Sequence, residues 1–544
     1  MTSAWSDGPA QSSRDLNACV KPIASPRCAR ALRIAFCGGN FARGRVTSSW
    51  SAQPRTGLPF TYRTPRRGER CHQSHPILPY RQHFVGPAMI PLSFGQLGLW
   101  FIHQMNPGSS MYTMQLASRL TGQLDRTALE EALRDVVQRH ESLRTVIRDA
   151  RGEPHQVVLD ISECAVRLEY KELAEEEVHK AMHEASERPF DLVRDLPLRA
   201  WLFALGPQEH VLLMSMHHIV SDGWSLGPLT RDLARAYAAR RRGAAPNMPP
   251  LPVQYADYAL WQRRLLGREE DPDSLASRQL THWRSVLDGI PQELRLPVDH
   301  PRQPMSDFAG GTIEFTLDAD LHTALAEVAR TENATMFMVL QAGFAALLSK
   351  LGAGTDIPIG SPVAGRMDDA LTDLVGYFVN MLVFRVDVSG DLSLRDLVKR
   401  VQTVALDAYD NQDIPFDRLV RALNPARSRT RHPLFQVMFT LENNTDAGLK
   451  FDGLTDVPLA IDAGSSMFDL ALSLQENFGP DKEPAGMDAF LEYQLDMFER
   501  ETAQRMADGY RRMLAALAAD PDAPTSTVDV LGEEHQALMF DRAL

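Results

Sequence analysis

Cysteine is nearly absent from the body of this 544-residue chain: Cys19, Cys28, Cys37 and Cys71 fall within the first 88 residues and only Cys164 lies beyond them. None forms a Cys-x-x-Cys pair, so the common thiol zinc and dithiol redox sites are missing and no metal site is expected. A body with one thiol is not held by disulfides, which suits a cytoplasmic protein. No uninterrupted apolar run reaches eighteen residues, so no segment reads as a membrane span. Excess positive charge is lacking too. The chain carries a net charge of −13, and residues 1–88 hold thirteen Lys/Arg against three Asp/Glu, so everything after them is more acidic still. Nothing in that acidic body could replace the counterions of a phosphate backbone, which argues against nucleic acid as a partner.

What is present is organised in segments. Residues 1–88 are rich in Arg, Ser, Pro and Gly and show no sustained apolar period. They read as a disordered or over-extended N-terminal extension. Order begins at Ser93, where Ser93 and Gln96 have capping-box spacing ahead of Leu97, Trp100 and Phe101. The apolar spacing predicts helices over about 126–140, 225–241, 255–266, 275–287, 320–331 and 335–351. Continuous apolar runs predict strands at 198–205 and 210–217, and again at 312–317 and 357–361. A Pro-rich stretch at 243–254 breaks the pattern. Leu120–Asp125 followed by Ala128–Ala132 is echoed by Phe315–Asp318 followed by Ala324–Val328, which points to two related halves. The length accommodates two to four compact units. The expected division is an N-terminal subdomain over 89–266, a C-terminal subdomain over 267–524, and the start of a linker over 525–544.

Chemistry concentrates in Met216-His217-His218-Ile219-Val220-Ser221-Asp222-Gly223-Trp224-Ser225. Alternation on the preceding strand turns His217 and His218 to opposite sides, so one is packed while the other faces a cleft. Gly223 permits a positive φ, and Ser225 is placed to cap the following helix. A histidine at a strand end can take a proton from an attacking amine or orient it, and nearby backbone N–H groups can stabilise an oxyanion.

The pattern His-His-x-x-x-Asp-Gly resembles the signature of nonribosomal peptide synthetase condensation domains. Further segments resemble that family's motifs in its order: Leu92–Trp100, with Gly98 where Arg is common; Arg139–Thr145; Tyr255–Gln262; Ile359–Arg366; Val375–Asn380; Asn411–Asp417; and Arg431–Gln436. The resemblance covers about residues 90–540.

It implies an α/β fold of two chloramphenicol-acetyltransferase-like subdomains, a V-shaped pseudodimer around a central tunnel. It implies an acyltransferase that joins a carrier-bound acyl or peptidyl thioester donor to the amine of a carrier-bound aminoacyl acceptor. Both substrates would ride on phosphopantetheine arms of donor and acceptor peptidyl carrier proteins, so the chain itself would bind no cofactor; an adjacent adenylation domain would be a further partner. His218 and Gly223 would stand at the chemistry, with His218 acting as base or as an orienting group. His217, Asp222 and Arg366 would be structural, Asp222 and Arg366 as a buried ion pair. Trp224, Ser225, Ser361 and Asn380 would line the tunnel. Trp100, Tyr258, Trp261 and Phe435 read as core, and His103, His140 and His432 as structural. Gly-Ser-Pro-Val-Ala-Gly-Arg and Asp271–Ser274 most resemble domains that join two L-residues. Two other readings stay open: a free-standing acyltransferase of the same superfamily using coenzyme A thioesters or a soluble amine, and a non-catalytic domain that docks carriers.

Overall fold

The computed structural model describes Ile77 and residues 89–532, apart from 107, 111, 307, 427, 429, 443–447 and 460–465. The extension expected over 1–88 lies outside the described residues except for Ile77, which is buried against Val253, Tyr255, Tyr258 and Phe378. The end of the linker expected over 525–544 lies outside them too. Its beginning is docked, with Val528 and Val530 in the second half's core.

Two mixed sheets organise the chain. In the first half, Thr113–Gly122, Glu209–His217, Leu198–Gly206 and Leu168–Glu172 form neighbouring strands, with Leu198–Gly206 and Glu209–His217 as the hairpin that the apolar runs predict. Helices Arg126–Arg139 and Leu226–Arg240 cover one face with Leu129, Leu133, Val136, Leu229 and Leu233. A three-stranded sheet of Ile90–Pro91, Glu153–Val158 and Thr145–Ala150 sits beside it; its strands are short and partly polar, and periodicity alone did not predict them.

The second half holds a six-stranded sheet in the order Asn380–Asp387, Asp356–Val363, Val437–Glu442, Leu470–Phe478, Pro484–Gln494, Gly310–Leu317. Helices Ala319–Thr331, Met336–Leu348, Leu394–Asp410 and Arg500–Ala519 pack on one face of it. The segment Met336–Ala353 is long and apolar enough to cross a membrane by composition, and it is mostly buried inside this core.

The halves exchange material. Strand Leu454–Pro458, from the second half, pairs antiparallel with Thr113–Gly122 and forms the edge of the first half's sheet. Asp456 anchors it by accepting from Ser118 Oγ and from Leu449 N. In the other direction, Phe94 from the first helix, Phe94–Met105, enters the second half's core. That helix starts with the Ser93/Gln96 capping box. Trp100, Tyr258, Trp261 and Phe435 are all buried.

Candidate functional site

Strand Glu209–His217 ends at the seam between the halves, and its last residue is locked from several sides. His217 is extended (φ −74°, ψ 135°), and its Nδ1 accepts from Ile219 N at 3.1 Å. Its ring packs against His103, Tyr112 and Phe190. Burial, together with the neighbouring His103 and His218, holds its pKa well below the ordinary histidine value. A buried neutral ring whose Nδ1 accepts is a structural unit.

His218 turns the other way. Its backbone N donates to Tyr112 O at 2.7 Å. Its ring meets Tyr377, from the opposite half, edge to face with centroids 5.3 Å apart and planes at 85°. Burial lowers its pKa, while the Asp222 carboxylate and backbone hydrogen bonds at Ser221 and at His218 itself oppose the fall. The imidazole is therefore neutral at physiological pH, as a proton acceptor must be.

Asp222 is fully enclosed. Its Oδ1 accepts from Ser225 N at 2.9 Å and from Arg366 Nη2 at 3.1 Å, and its Oδ2 accepts from Phe378 N at 2.9 Å. The Arg366 guanidinium also donates to the carbonyls of Leu371 and Leu374 and lies over the Phe378 ring. The structure thus brings Asp222 and Arg366 together, with charge, hydrogen bonds and a ring face satisfying the buried pair.

Two local expectations are corrected. Gly223 does not take a positive φ; the corner is made at Asp222 (φ −135°, ψ 178°), and Gly223 opens a short helical turn, Gly223–Ser225. Asp222 caps that turn, and the following helix, Leu226–Arg240, has Ser225 at its N-cap position without a side-chain capping bond. Ser225 Oγ instead accepts from Gly376 N at 3.1 Å and Arg366 Nη2 at 2.9 Å, and shares its one proton between Asp222 Oδ1 and Gly376 O. The hydroxyl thereby bridges the halves.

That bridge is one of a series. Each of four consecutive residues in the second half is held by the first: Val375 by His140 Nδ1 and Ser142 Oγ, Gly376 by Ser225, Tyr377 O by the Tyr255 hydroxyl, and Phe378 N by Asp222. Ser93 Oγ completes the Tyr255 chain at 2.8 Å. A Cβ on Gly376 would lie 2.2 Å from the Tyr255 ring, so only glycine permits this approach. His140 is held in turn by Asp232 at 2.9 Å, and burial keeps it neutral.

The remaining tunnel candidates differ in placement. Trp224 is half-buried. Asn380 lines a cavity of about 120 Å3 whose wall includes Tyr377 and Met381. Its amide also staples the 412–416 loop, donating to Gln412 O and Ile414 O and accepting from Phe416 N. Ser361 is corrected to a sheet position: it is buried, and its hydroxyl donates to Phe439 O at 2.6 Å. A polar residue on a central strand gave no sign of that partner. Reading the sequence also missed Tyr377 as the neighbour of His218, although it lies within a quoted motif. Among the described residues no group of three or more His, Cys, Asp or Glu is arranged to hold a metal.

Two related α/β halves meeting at a buried histidine define the chloramphenicol-acetyltransferase-like fold. The condensation-domain family model matches residues 87–540, and the chain belongs to that family. It is 50% identical over 464 residues to a dimodular nonribosomal peptide synthase of Bacillus subtilis (strain 168), matching 85% of this chain but 20% of that protein. The chain spans a fifth or less of the length of the first curated relatives it matches. Among solved structures, the X-domain from teicoplanin biosynthesis is 36% identical with a TM-score of 0.76, over 82% of this chain and 98% of that one. The first condensation domain of the calcium-dependent antibiotic synthetase, solved with a substrate analogue, shares the fold at 21% identity and a TM-score of 0.66, over 82% of this chain and all of that one.

Proposed function

We propose that the chain forms an amide between a carrier-bound acyl or peptidyl thioester and the amine of a carrier-bound aminoacyl acceptor. The observation that carries this reading is the neutral, enclosed His218 imidazole at the seam, with Tyr377 of the other half against its ring. A neutral imidazole can accept the proton that the attacking amine sheds and pass it to the leaving thiolate. It can also hold the amine in line, and alignment alone lowers a bimolecular barrier by several kcal/mol. Gly223, beside it, keeps side-chain bulk away from the thioester. His217, Asp222 and Arg366 hold the loop, and Trp224, Ser225 and Asn380 belong to the walls around it.

The division into subdomains 89–266 and 267–524, with a linker starting at 525, fits the two sheets, and strand Leu454–Pro458 ties the two together. Donor and acceptor carriers and an adenylation domain are the partners in this reading, their phosphopantetheine arms are the only prosthetic groups, and the cytoplasm is the compartment. A groove of about 750 Å3 runs between helices Phe94–Met105 and Phe416–Leu423, with Phe101 and Met105 exposed near it. Asp417 lines both this groove and the inner cavity. That arrangement suits an arm threading from a docked carrier towards the seam. The free-standing and docking-only readings have less support, since the site is intact and the close relatives are synthetases. Carriers loaded with a donor thioester and an aminoacyl acceptor test the proposal: amide appears with the wild type and is lost with His218→Ala.

A further inference from the structure

Helix Phe94–Met105 turns two glycines, Gly95 and Gly98, towards the second half. A Cβ on Gly95 would lie 2.8 Å from Tyr377 Cε1, and one on Gly98 would overlap Asp417 Oδ2. Positions three apart are neighbours on one helix face, about 4.5 Å apart along the axis. Tyr377 and Asp417 therefore stand side by side, one turn apart. The Tyr377 ring in turn meets His218 with centroids 5.3 Å apart. Both Tyr377 and Asp417 line the inner cavity, and Asp417 also lines the outer groove, so its carboxylate stands at the neck between the two.

The cavity has the chemistry of a cation pocket. The rings of Tyr258, Trp261, Tyr377, Phe378 and Phe416 line it, together with the carboxylates of Asp413 and Asp417. Among the described residues no Lys, Arg or His does. Ring faces and carboxylates both attract positive charge. The amides on the wall are occupied. Gln262 accepts from Phe94 N and donates to the Tyr258 hydroxyl, and Asn380 holds the 412–416 loop. Asp413 accepts from Gln279 Nε2 at 2.8 Å. Asp417 is in no ion pair among the described residues, and the base that acts on it, Arg421, lines the groove and not the cavity. Arg418, beside it in sequence, is paired with Glu269. The negative field reaches the walls: burial raises the pKa of the Tyr377 and Tyr258 hydroxyls, and Asp417 and Asp413 respectively add to the rise. Leu265, Leu266 and Met381 supply apolar wall. The space is roughly ten times what one water needs.

We propose that the inner cavity is the pocket for the acceptor's side chain, and that the side chain it selects ends in a primary ammonium held by the Asp417 carboxylate with the Tyr377 ring beside it. This deepens the condensation reading and rests on it. Of the two substrates, the acceptor is the one that is an aminoacyl group in every case, so it is the one that brings an amino-acid side chain. The reaction fixes its α-amine at His218. A ring and a turn of helix separate His218 from Asp417. A side chain of lysine length covers that span, and an α-amine does not. The methylenes lie against the apolar wall of Leu265 and Met381. An acidic side chain would face two carboxylates across a cavity with no basic residue, and is refused.

The test separates the pocket from the overall reaction. Lysyl-aminopantetheine and 2-aminoheptanoyl-aminopantetheine are amide isosteres of aminoacyl thioesters. Both carry the α-ammonium, and they differ only in an ammonium or a methyl group at the end of the side chain. Calorimetry of both on the full chain should show the lysyl probe bound about 10-fold more tightly by the wild type, the worth of about one charge-assisted hydrogen bond. Asp417→Asn keeps the shape and removes the charge, and should bring the two affinities together. A glutamyl probe should bind the wild type more weakly than either. Equal binding of the lysyl and aminoheptanoyl probes by the wild type overturns the proposal, whether or not the Asn variant folds. So does a lysyl preference that survives in a folded Asp417→Asn, and so does a glutamyl probe bound as well as the lysyl one. The condensation reading answers separately. A chain that prefers the lysyl probe through Asp417 but makes no amide from loaded carriers keeps the pocket and sinks only that reading. A chain that makes amide from lysyl and aminoheptanoyl acceptors with equal kcat/KM keeps the reaction and sinks the pocket.

Discussion

Asp222 and Phe378 sit 156 residues apart, yet the Asp222 Oδ2 accepts the Phe378 backbone N–H at 2.9 Å across the seam between the halves. The same carboxylate caps the turn after His218 and pairs with Arg366. One buried side chain thereby fixes the loop after His218, the facing segment that leads into strand Asn380–Asp387, and the join between them. Removing it should leave Arg366 buried without a counter-charge and cost about 3–5 kcal/mol. Denaturant unfolding of Asp222→Ala measures the loss. The Asp222→Ala/Arg366→Met double variant should recover part of the stability and none of the activity.

Tyr377 is held by its backbone, through Tyr255, and presents its ring to His218. Tyr377→Phe should therefore stay close to wild type in condensation rate. Tyr377→Ala frees the imidazole to tilt, and misplacement on the ångström scale costs on the order of 10²-fold in rate. Single-turnover assays with loaded carriers distinguish the two.

Gly98 faces the Asp417 carboxylate so closely that an added Cβ would lie 1.7 Å from Oδ2. Gly98→Ala must push the carboxylate into the passage between groove and cavity. If the arm enters there, KM for one carrier should rise several-fold with little change in kcat, and the circular dichroism spectrum should be unaltered. An unchanged KM for both carriers would place the entrance elsewhere.

His432 is enclosed by Phe416, Phe435 and Phe468, and burial lowers its pKa to about 4. The unfolded chain protonates near 6.5, so between about pH 6.5 and 4 it binds a proton that the native state refuses. Stability is then fully present above 6.5 and falls as pH drops towards 4, by up to about 1.4 kcal/mol per unit. His432→Phe should flatten that part of a Tm-against-pH curve.

The strand–turn–helix around His217–Ser225 was legible because each of its signals is local: an apolar run, a histidine pair, an Asp–Gly corner. The motif order made the fold family legible as well. Of what joins the motifs, the resemblance implied the Asp222–Arg366 pair and nothing more. That His140 and Ser142 grip Val375, and that Ser225 grips Gly376, depends on two surfaces meeting, which no spacing in one chain encodes. Strand Leu454–Pro458 has five residues and a half-exposed pattern, so it carries too little apolar periodicity to announce itself. Gly223 shows the opposite failure: a plausible local reason, positive φ, that the backbone does not use.

The most direct measurement is amide formation by the intact chain between a donor thioester on one carrier and an aminoacyl thioester on another, with wild type and His218→Ala compared at neutral pH. The account predicts product from the wild type, and a loss of at least 10²-fold in a folded His218→Ala protein, in line with the range for removing a group that aligns or deprotonates a nucleophile. Equal product from both proteins would contradict it.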